Sequence, residues 1–274
     1  SPSVMTGVEF AGQRPALILN SPSSGLPLQR GAAISNIRIR ICGTGVYDPP
    51  STGPSTYFSV TFDGIEIRDF SYRGWDARSS IRTGNRYDNI YINNAGGPYA
   101  NSTNVDCGFF LGGEESEAAF GQINVEWMRG GSAVSLTGVR AIAGGSFHIE
   151  QFTQINAYAA VVQISRSSGF IGSVTAYYCP INTVGWQLLT LGDSTYDGAL
   201  ANPTTCDYIR IGTLHVKGLN DGSQATGGVG LTGLTDMAFA QREVSAVGPY
   251  ALQIDNYVWN TYKADQAVYQ NFPS

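Results

Sequence analysis

The sequence predicts an all-β fold, a single-stranded parallel β-helix that winds as one solenoid, and two observations predict it. Short cassettes recur in which an aliphatic or aromatic residue alternates with a polar one, the period of two that buries one face of a strand. Stretches rich in Gly, Ser and Asn separate the cassettes and supply turns. The cassettes are Asn36–Ile41, Gly64–Arg68, Asn89–Asn93, Gln122–Glu126, Ser146–Glu150 and Tyr208–Gly212.

The spacing of the cassettes predicts one coil per repeat. The inward residues taken as equivalent are separated by 25, 33, 24, 25 and 40 residues, a base period near 24 or 25 with two longer gaps for loop insertions. A fixed period in this range is typical of solenoid proteins. These residues are Ile67, Ile92, Val125, Ile149, Val174 and Leu214.

Most coils also contain a second apolar strand, which is expected to form a second sheet. Each of these segments ends at a glycine or a polar turn. They are Tyr57–Phe62, Cys107–Leu111, Ala133–Thr137, Ala160–Ile164 and Trp186–Leu191.

Composition favours one elongated domain. The chain contains 34 Gly, 11% aromatic residues and only 14% charged residues, and long helical heptads are missing, which argues against a helical bundle. No Pro/Ser-rich linker separates two halves. We expect a β-helix over residues 1–250, and a last strand with a C-terminal capping or oligomer-contact tail over residues 251–274. The chain is expected to be a fragment or a processed product that begins inside the solenoid, without an N-terminal cap.

Charge and hydropathy exclude two classes of partner. The formal net charge is −5, and nucleic-acid binding depends on clustered Lys and Arg, so no nucleic-acid partner is predicted. No apolar run approaches the length of a membrane span, so no membrane insertion is predicted.

The cysteines predict no metal site. Cys42, Cys107, Cys179 and Cys206 form no CxxC pair, so they are expected to be small buried residues with free thiols, with a disulfide between coils as the alternative. No metal and no cofactor is predicted.

Aligning the cassettes places outward residues in columns, one strand spacing of about 4.8 Å apart. One predicted column contains Arg68, Asn93, Glu126, Glu150, Thr175 and His215. The neighbouring column contains Glu66, Tyr91, Asn124, His148, Ser173 and Thr213. Glu126 and Glu150 are therefore expected on adjacent coils, with His148 beside them.

These three residues are the predicted catalytic group. Two carboxylates so close cannot both ionise at low energetic cost, so one is expected to act as a general acid. Retaining glycosidases hold such a pair about 5–5.5 Å apart, a spacing that stacked coils can provide. The alternative is that Glu126 and Glu150 are ordinary solvated charges on an outer sheet face.

Further residues are predicted to bind the substrate. Arg68, Asn93, Tyr91 and Asn124 share the two columns. The rings of Trp75 and Tyr91 are expected to stack on sugars, or alternatively on aromatic rings of adjacent coils in the core and at a subunit interface. Trp127 and Trp186, by contrast, are predicted for the core.

An acidic insertion supplies one more candidate. Glu115 lies in Gly112–Glu117, within the 33-residue gap, and insertions on solenoids often build the binding face. The alternative is a solvated acidic loop.

The pattern resembles the right-handed parallel β-helix proteins of the pectate-lyase-like superfamily, and among them bacteriophage tailspikes and capsule depolymerases. The resemblance covers roughly residues 7–260 and depends on the repeated cassettes, the glycine-rich turns and the scarcity of Lys, which stands only at Lys217 and Lys263. It implies a right-handed solenoid, a homotrimer and a place in the virion tail beside other tail proteins.

The same resemblance implies a function. A tailspike-type protein binds a bacterial surface polysaccharide, capsule or O-antigen, and degrades it, with hydrolysis expected ahead of β-elimination. Two alternatives stay open, a non-catalytic receptor-binding or structural virion β-helix and a cellular pectate-lyase-like enzyme. No tight Asp cluster of the kind that holds calcium in such lyases is found within one coil.

Overall fold

The computed structural model describes residues 6–9, 14–19, 31–50, 58–78, 82–100, 102, 105–154, 160–177, 179, 187–192, 208–217, 240–242 and 252–260. Every regular element in these ranges is a β-strand, so the fold is all-β, as predicted. Across the same ranges, no helix has the length and apolar character needed to cross a membrane. The strands are β1 (Thr6–Glu9), β2 (Pro15–Ile18), β3 (Ala33–Asp48), β4 (Thr61–Ala77), β5 (Arg82–Asn93), β6 (Cys107–Leu111), β7 (Glu115–Phe120), β8 (Gln122–Glu126), β9 (Arg129–Gly130), β10 (Ser132–Thr137), β11 (Val139–Arg140), β12 (Ile142–Ala143), β13 (Ser146–Glu150), β14 (Thr153–Gln154), β15 (Ala160–Ser165), β16 (Gly169–Tyr177), β17 (Gln187–Gly192), β18 (Ile209–Lys217), β19 (Ala240–Arg242) and β20 (Leu252–Asn260).

Parallel pairing joins these strands into one large sheet. Eighteen of the described strands belong to it, while β9 and β14 form a separate pair. The pairings are parallel throughout, including those of the long strands β3, β4 and β5. Strands far apart in sequence are thus neighbours in space, as a repeating parallel architecture requires.

The sheet contains three ladders of strands, which the chain visits in a fixed order. Ladder 1 contains residues 33–35, 61–63, 82–88, 115–120, 139–143, 169–171, 209–211 and 252–254. Ladder 2 contains residues 6–9, 37–40, 65–68, 90–93, 122–126, 146–150, 173–177, 213–217 and 256–260. Ladder 3 contains residues 15–18, 44–48, 73–77, 107–111, 132–137, 160–165, 187–192 and 240–242. This arrangement is compatible with the predicted parallel β-helix.

The predicted second strands are confirmed in four of five segments. β6, β10, β15 and β17 all lie in ladder 3. The fifth segment, Tyr57–Phe62, was assigned to the wrong ladder, because Thr61 and Phe62 pair with ladder 1, and Tyr57 lies outside the described residues. The ladder 3 strand of that coil is instead formed by residues 73–77.

Ladder 1 as a separate ladder was not predicted. Ile209 and Ile211 belong to it, so the cassette Tyr208–Gly212 is not the equivalent of the other five cassettes. Its ladder 2 counterpart is formed by residues 213–217, which follow in the same strand. Alternation of apolar and polar residues breaks at the bend between the two ladders, because the buried residues Ile211 and Leu214 are three positions apart.

The predicted register is right from β4 to β13 and again from β16 to β18, where Val174 pairs with Leu214, and it is wrong only in the step from β13 to β16. Ile67 pairs with Ile92, which pairs with Val125, which pairs with Ile149. Ile149 then pairs with Ala176, an interval of 27 residues rather than the 25 expected from Val174. A slip of two residues keeps every inward residue inward, so the hydrophobic pattern cannot detect it.

Aromatic rings fill the core between ladders 1 and 3. Phe62 and Tyr87 stack with their centroids 5.3 Å apart, and Phe120 continues the stack 5.5 Å beyond Tyr87. The edge of Trp75 meets Phe62 at 5.1 Å. All four side chains are buried. Parallel pairing places these rings in register, and the stacking stabilises the succession of strands.

A column of glycines in ladder 3 lets the ladders approach closely. Gly45, Gly74 and Gly108 occupy equivalent positions. A Cβ atom added to Gly74 would lie 2.7 Å from the Gly108 carbonyl oxygen and 2.7 Å from Ile92 Cγ2. The absence of a side chain here therefore gives ladder 2 the space for its inward aliphatic residues.

Candidate functional site

The candidate site lies on the outward side of ladder 2. Inward residues of this ladder, such as Ile92, Val125 and Ile149, are fully buried, so alternation turns the intervening polar side chains outward. We call this surface the ladder 2 face. It contains Glu66, Arg68, Tyr91, Asn93, Asn124, Glu126, His148, Glu150, Thr175, Tyr177 and His215.

The centre of the face is formed by the three predicted catalytic residues, which the structure brings together. Glu126 pairs with Glu150 in register, and Asn124 pairs with His148. His148 Nε2 lies 3.4 Å from Glu150 Oε2 and 3.9 Å from Glu126 Oε1. One ligand atom from each of the three residues lies within 4.8 Å of the others. Their side chains are 18–30% exposed, so solvent and ligands can reach them.

Glu126 is held by the neighbouring strand. The Tyr91 hydroxyl donates a hydrogen bond of 2.9 Å to Glu126 Oε2, and Asn93 Nδ2 donates one of 2.8 Å to the Tyr91 oxygen. Burial and the hydrogen bond to Glu126 raise the pKa of Tyr91 above its ordinary value. Tyr91 therefore keeps its proton at neutral pH and remains a donor.

Arg68 forms one end of the face. Its guanidinium carbon lies 5.7 Å from the centre of the Tyr91 ring, and its Nε forms an ion pair with Glu66. Arg38 binds the same Glu66 carboxylate at 2.5 Å. The negative charge at this end is thus matched by two guanidinium groups.

Tyr177 forms the other side, and it was not predicted. Its ring meets His148 edge-on at a centroid distance of 5.5 Å, and its hydroxyl lies 3.0 Å from Nδ1 of His215. In the column of Glu150 the prediction had placed Thr175 and His215, but both belong to the column of His148. The two-residue slip described above concealed Tyr177.

The same slip changes the other column. Ser173 pairs with Ser146, and Thr213 pairs with Ser173, so neither residue is in line with His148. Asn124 stands where it was predicted, between Tyr91 and His148 in register, and its side chain accepts a hydrogen bond of 3.1 Å from Gln122.

Trp127 was predicted for the core, and the structure corrects this. Its side chain is 48% exposed and directly follows Glu126. Its backbone has a φ of 51°, a left-handed conformation that is costly for a bulky residue, and its N–H donates a hydrogen bond of 3.0 Å to the Glu150 carbonyl oxygen. The bend that ends β8 therefore turns a large aromatic ring to the surface, one residue beyond Glu126.

Trp75 was predicted to bind substrate, but it is fully buried. Its ring lies among Phe62, Tyr87 and Phe109, within 5.1–5.7 Å of each. Inward-facing positions of ladder 3 fill the core, so this ring stacks on neighbouring strands and does not reach the surface.

Glu115 was also predicted to bind substrate, and it too is buried, at 1% exposure. Arg82 Nε lies 3.0 Å from it, while Tyr87 and Asn85 donate hydrogen bonds of 2.7 and 2.9 Å to its two oxygens. Burial raises the pKa of Glu115, although Arg82 acts in the opposite direction. The acidic insertion thus supplies a strand with an interior ion pair in place of a binding loop.

The described cysteines are interior residues, and Cys179 lies beneath one edge of this site, where its thiol donates to the Tyr177 carbonyl oxygen at 3.5 Å. Cys42, Cys107 and Cys179 are buried and free, as predicted, and Cys206 lies outside the described residues. Burial, together with the charge of Asp69, raises the pKa of Cys42 to about 12. These thiols are therefore protonated and fill space in the interior.

Chemically, the centre of the face is a carboxylate pair with an imidazole between its members. Within the described residues, no Lys or Arg nitrogen lies within 4.0 Å of either Glu126 or Glu150. Such a pair can exchange a proton with a ligand, act as a nucleophile and an acid, or bind a cation.

Comparison with known proteins does not add to this geometry. No protein-family model matches the chain. The curated proteins and the solved structures likewise contain no match.

Proposed function

We propose that this chain is a right-handed parallel β-helix of the bacteriophage tailspike type, which binds and hydrolyses a bacterial surface polysaccharide. The observation that carries the proposal is the pairing of Glu126 with Glu150 on the ladder 2 face, with their nearest oxygens within 4.8 Å. In this proposal the protein is a homotrimer in the virion tail, beside other tail proteins, and its substrate is capsule or O-antigen.

The separation of the two carboxylates favours a retaining mechanism. Retaining glycosidases hold their carboxyl groups about 5–5.5 Å apart, and inverting ones about 6.5–9.5 Å apart. Adjacent strands of a parallel ladder are about 4.8 Å apart, so outward residues in register match the shorter distance.

The surroundings of each carboxylate suggest its role. Glu126 is fixed by the Tyr91 hydroxyl and is the less exposed of the two, so it is suited to attack the anomeric carbon from a defined position. Glu150 is more exposed and would donate its proton to the departing glycosidic oxygen, then accept a proton from the water that hydrolyses the glycosyl–enzyme bond. His148 touches both and would keep their orientation.

Residues around the pair are suited to bind sugar. Trp127 follows Glu126 in the chain, and its exposed ring offers an apolar surface on which the C–H face of a pyranose can stack. Asn124 offers an amide two residues before Glu126 on the same strand, and Arg68 with Tyr91 extends the polar surface along the ladder. A linear glycan lying along the ladder 2 face would meet these groups in succession.

Release of oligosaccharides tests the proposal. The protein is incubated with a panel of purified bacterial capsular polysaccharides and lipopolysaccharides, and products are followed by new reducing ends and by size. We expect cleavage of one of them with retention of anomeric configuration by NMR. Glu126→Gln and Glu150→Gln should each reduce the rate about 10²–10⁴-fold. Glu117→Gln, on the exposed side of β7 in ladder 1, is the matched control and should cleave as the parent does.

The outcomes separate the alternatives. Cleavage by both Gln variants at the parental rate would show that the site lies elsewhere. Tight binding of a glycan without release of products would identify a receptor-binding β-helix, for which Trp127 would suffice as a stacking surface. Products with ultraviolet absorbance from a new double bond would identify a lyase.

A further inference from the structure

We propose that Glu126, His148 and Glu150 together bind one divalent transition-metal ion, with Zn²⁺ as the reference ion. The proposal does not depend on the glycan function, and since an ion held by both carboxylates would block the hydrolysis proposed for them, the hydrolysis assay is carried out on chelator-treated protein. It follows from the ligand types, their spacing and the charge around them.

The spacing is close to that of a metal site. Ligand atoms bound to one tetrahedral ion at about 2.1 Å are about 3.4 Å apart. His148 Nε2 already lies 3.4 Å from Glu150 Oε2 and 3.9 Å from Glu126 Oε1, and the three ligand atoms are within 4.8 Å of one another. The carboxylates are 18% and 30% exposed, so small side-chain rotations can close the remaining distance.

The charge around the cluster favours a cation. Like charges opposite each other on neighbouring strands are destabilising, and Glu126 and Glu150 are such a pair. Among the described residues, His148 is the only basic side chain within 4.0 Å of either carboxylate. Glu66, by contrast, is matched by Arg38 and Arg68 on the same face. An unmatched carboxylate pair with an imidazole nitrogen between its members can be neutralised by one dication.

The ligand set indicates the class of metal. Imidazole nitrogen suits Zn²⁺ and neighbouring first-row ions, whereas Ca²⁺ and Mg²⁺ take oxygen ligands. The side chains offer three donors from one open face, so water or a substrate group can complete the coordination.

A second layer of contacts supports the ligands. Tyr91 donates to Glu126 Oε2, which leaves Oε1 directed toward His148, and Asn93 donates to Tyr91 in turn. Outer partners of this kind orient ligating carboxylates, and their removal typically reduces metal affinity 10–100-fold.

Calorimetric titration of the full chain tests the site. Protein treated with a chelator and exchanged into buffer is titrated with Zn²⁺ and, in parallel, with Co²⁺, whose visible spectrum reports nitrogen and oxygen ligation. We expect one ion per chain, with affinity reduced at least about 100-fold in His148→Gln and about 10-fold in Tyr91→Phe. The chain contains two histidines, so His215→Gln is the matched control and should bind as the parent does.

Three results would overturn the proposal. They are a parent chain that binds no Zn²⁺ at millimolar concentration, a His148→Gln variant that binds with parental affinity, and loss of binding in His215→Gln alone. Circular dichroism of each variant is used to check that the variant is folded. The parent chain is also titrated with Ca²⁺. If it binds Ca²⁺ as tightly as Zn²⁺, the assignment to a transition metal is wrong, because such a preference indicates a site of oxygen ligands alone.

Discussion

Replacing Arg82 by Met should destabilise the protein strongly, because it removes the guanidinium that bridges Asp48 and Glu115 in the interior. Arg82 lies between Asp48, at 3.2 Å, and Glu115, at 3.0 Å, and all three side chains are fully buried. Breaking a buried ion pair by removing one partner typically costs about 3–5 kcal/mol. Met retains the apolar stem, so the loss reports removal of the buried guanidinium with its two ion pairs and its hydrogen bond to the Gly112 carbonyl oxygen.

Arg86→Met is the matched control. Arg86 lies in the same strand, but it is 59% exposed and pairs with Asp88 at 2.8 Å on the surface. An exposed pair contributes about 0–1 kcal/mol, so this variant should unfold close to the parental midpoint. Urea unfolding followed by far-ultraviolet circular dichroism compares the two variants.

The loss in Arg82→Met should depend on pH. Burial raises the pKa of Glu115 in the folded protein, so its contribution to stability is complete below the unfolded pKa and declines as pH rises through the folded value. Arg82 lowers the pKa of Glu115, so this pKa is higher in the Arg82→Met variant. The stability of the variant therefore continues to fall up to a higher pH than that of the parent. The difference between variant and parent should therefore be small at pH 4 and large at pH 7. An equal loss at both pH values, or a loss no larger than that of Arg86→Met, would refute the reasoning.

Three further predictions concern backbone and core. Trp127→Gly should weaken glycan binding by about 0.5–1.5 kcal/mol, because it removes a stacking ring. It should not lower the urea midpoint, because glycine adopts the positive φ of 51° without strain, and a lower midpoint would contradict this. Gly74→Ala should destabilise the protein by about 1–3 kcal/mol, since the new Cβ would lie 2.7 Å from the Gly108 carbonyl oxygen, and a neutral thermal shift would exclude this contact. Asn94→Ala should lower the unfolding free energy by about 1–3 kcal/mol, because the buried Asn94 amide accepts a hydrogen bond from Phe70 N–H at 2.9 Å and donates one to Phe70 C=O at 3.0 Å. A variant as stable as the parent would show that these two hydrogen bonds do not stabilise the fold.

The repeat in ladder 2 could be predicted because alternation and spacing agree there. From β4 to β13 the inward aliphatic residues recur at 25, 33 and 24 residues, the long interval containing one insertion, and the 24-residue step was enough to bring Glu126, His148 and Glu150 together. Beyond Ile149 the interval lengthens by two residues, and both Val174 and Ala176 face inward. Hydrophobicity alone does not distinguish the two registers, so Tyr177 was missed.

Burial in ladder 3 could not be predicted from alternation. Residues 73–77 are buried on both sides of the strand. Arg73 is buried because its guanidinium lies 3.9 Å from the Phe110 ring centre and pairs with Asp76 at 2.9 Å. Charged residues such as Arg73 and Asp76 usually indicate an exposed strand, but here they are buried, and Trp75 between them is buried too.

Two other errors have local causes. Glu115 reads as part of an acidic loop, yet Arg82, Tyr87 and Asn85 come from a strand about 30 residues earlier and give it buried partners. Trp127 reads as a core residue because it is large and apolar. Its left-handed backbone at the end of β8 reverses the direction that alternation would give it.

The most direct test of the account is the contact between Glu126 and Glu150, on which both proposals depend. Cα atoms paired in register on adjacent strands are about 4.8 Å apart, within the range of about 4.4–6.8 Å that a disulfide spans. Glu126→Cys combined with Glu150→Cys should form an intramolecular disulfide on mild oxidation, found by peptide mapping with mass spectrometry. Glu126→Cys combined with Tyr177→Cys places the thiols two strands apart in the same column, about 9.6 Å, and should not. Cross-linking of the second pair in preference to the first would contradict the register and the site built on it.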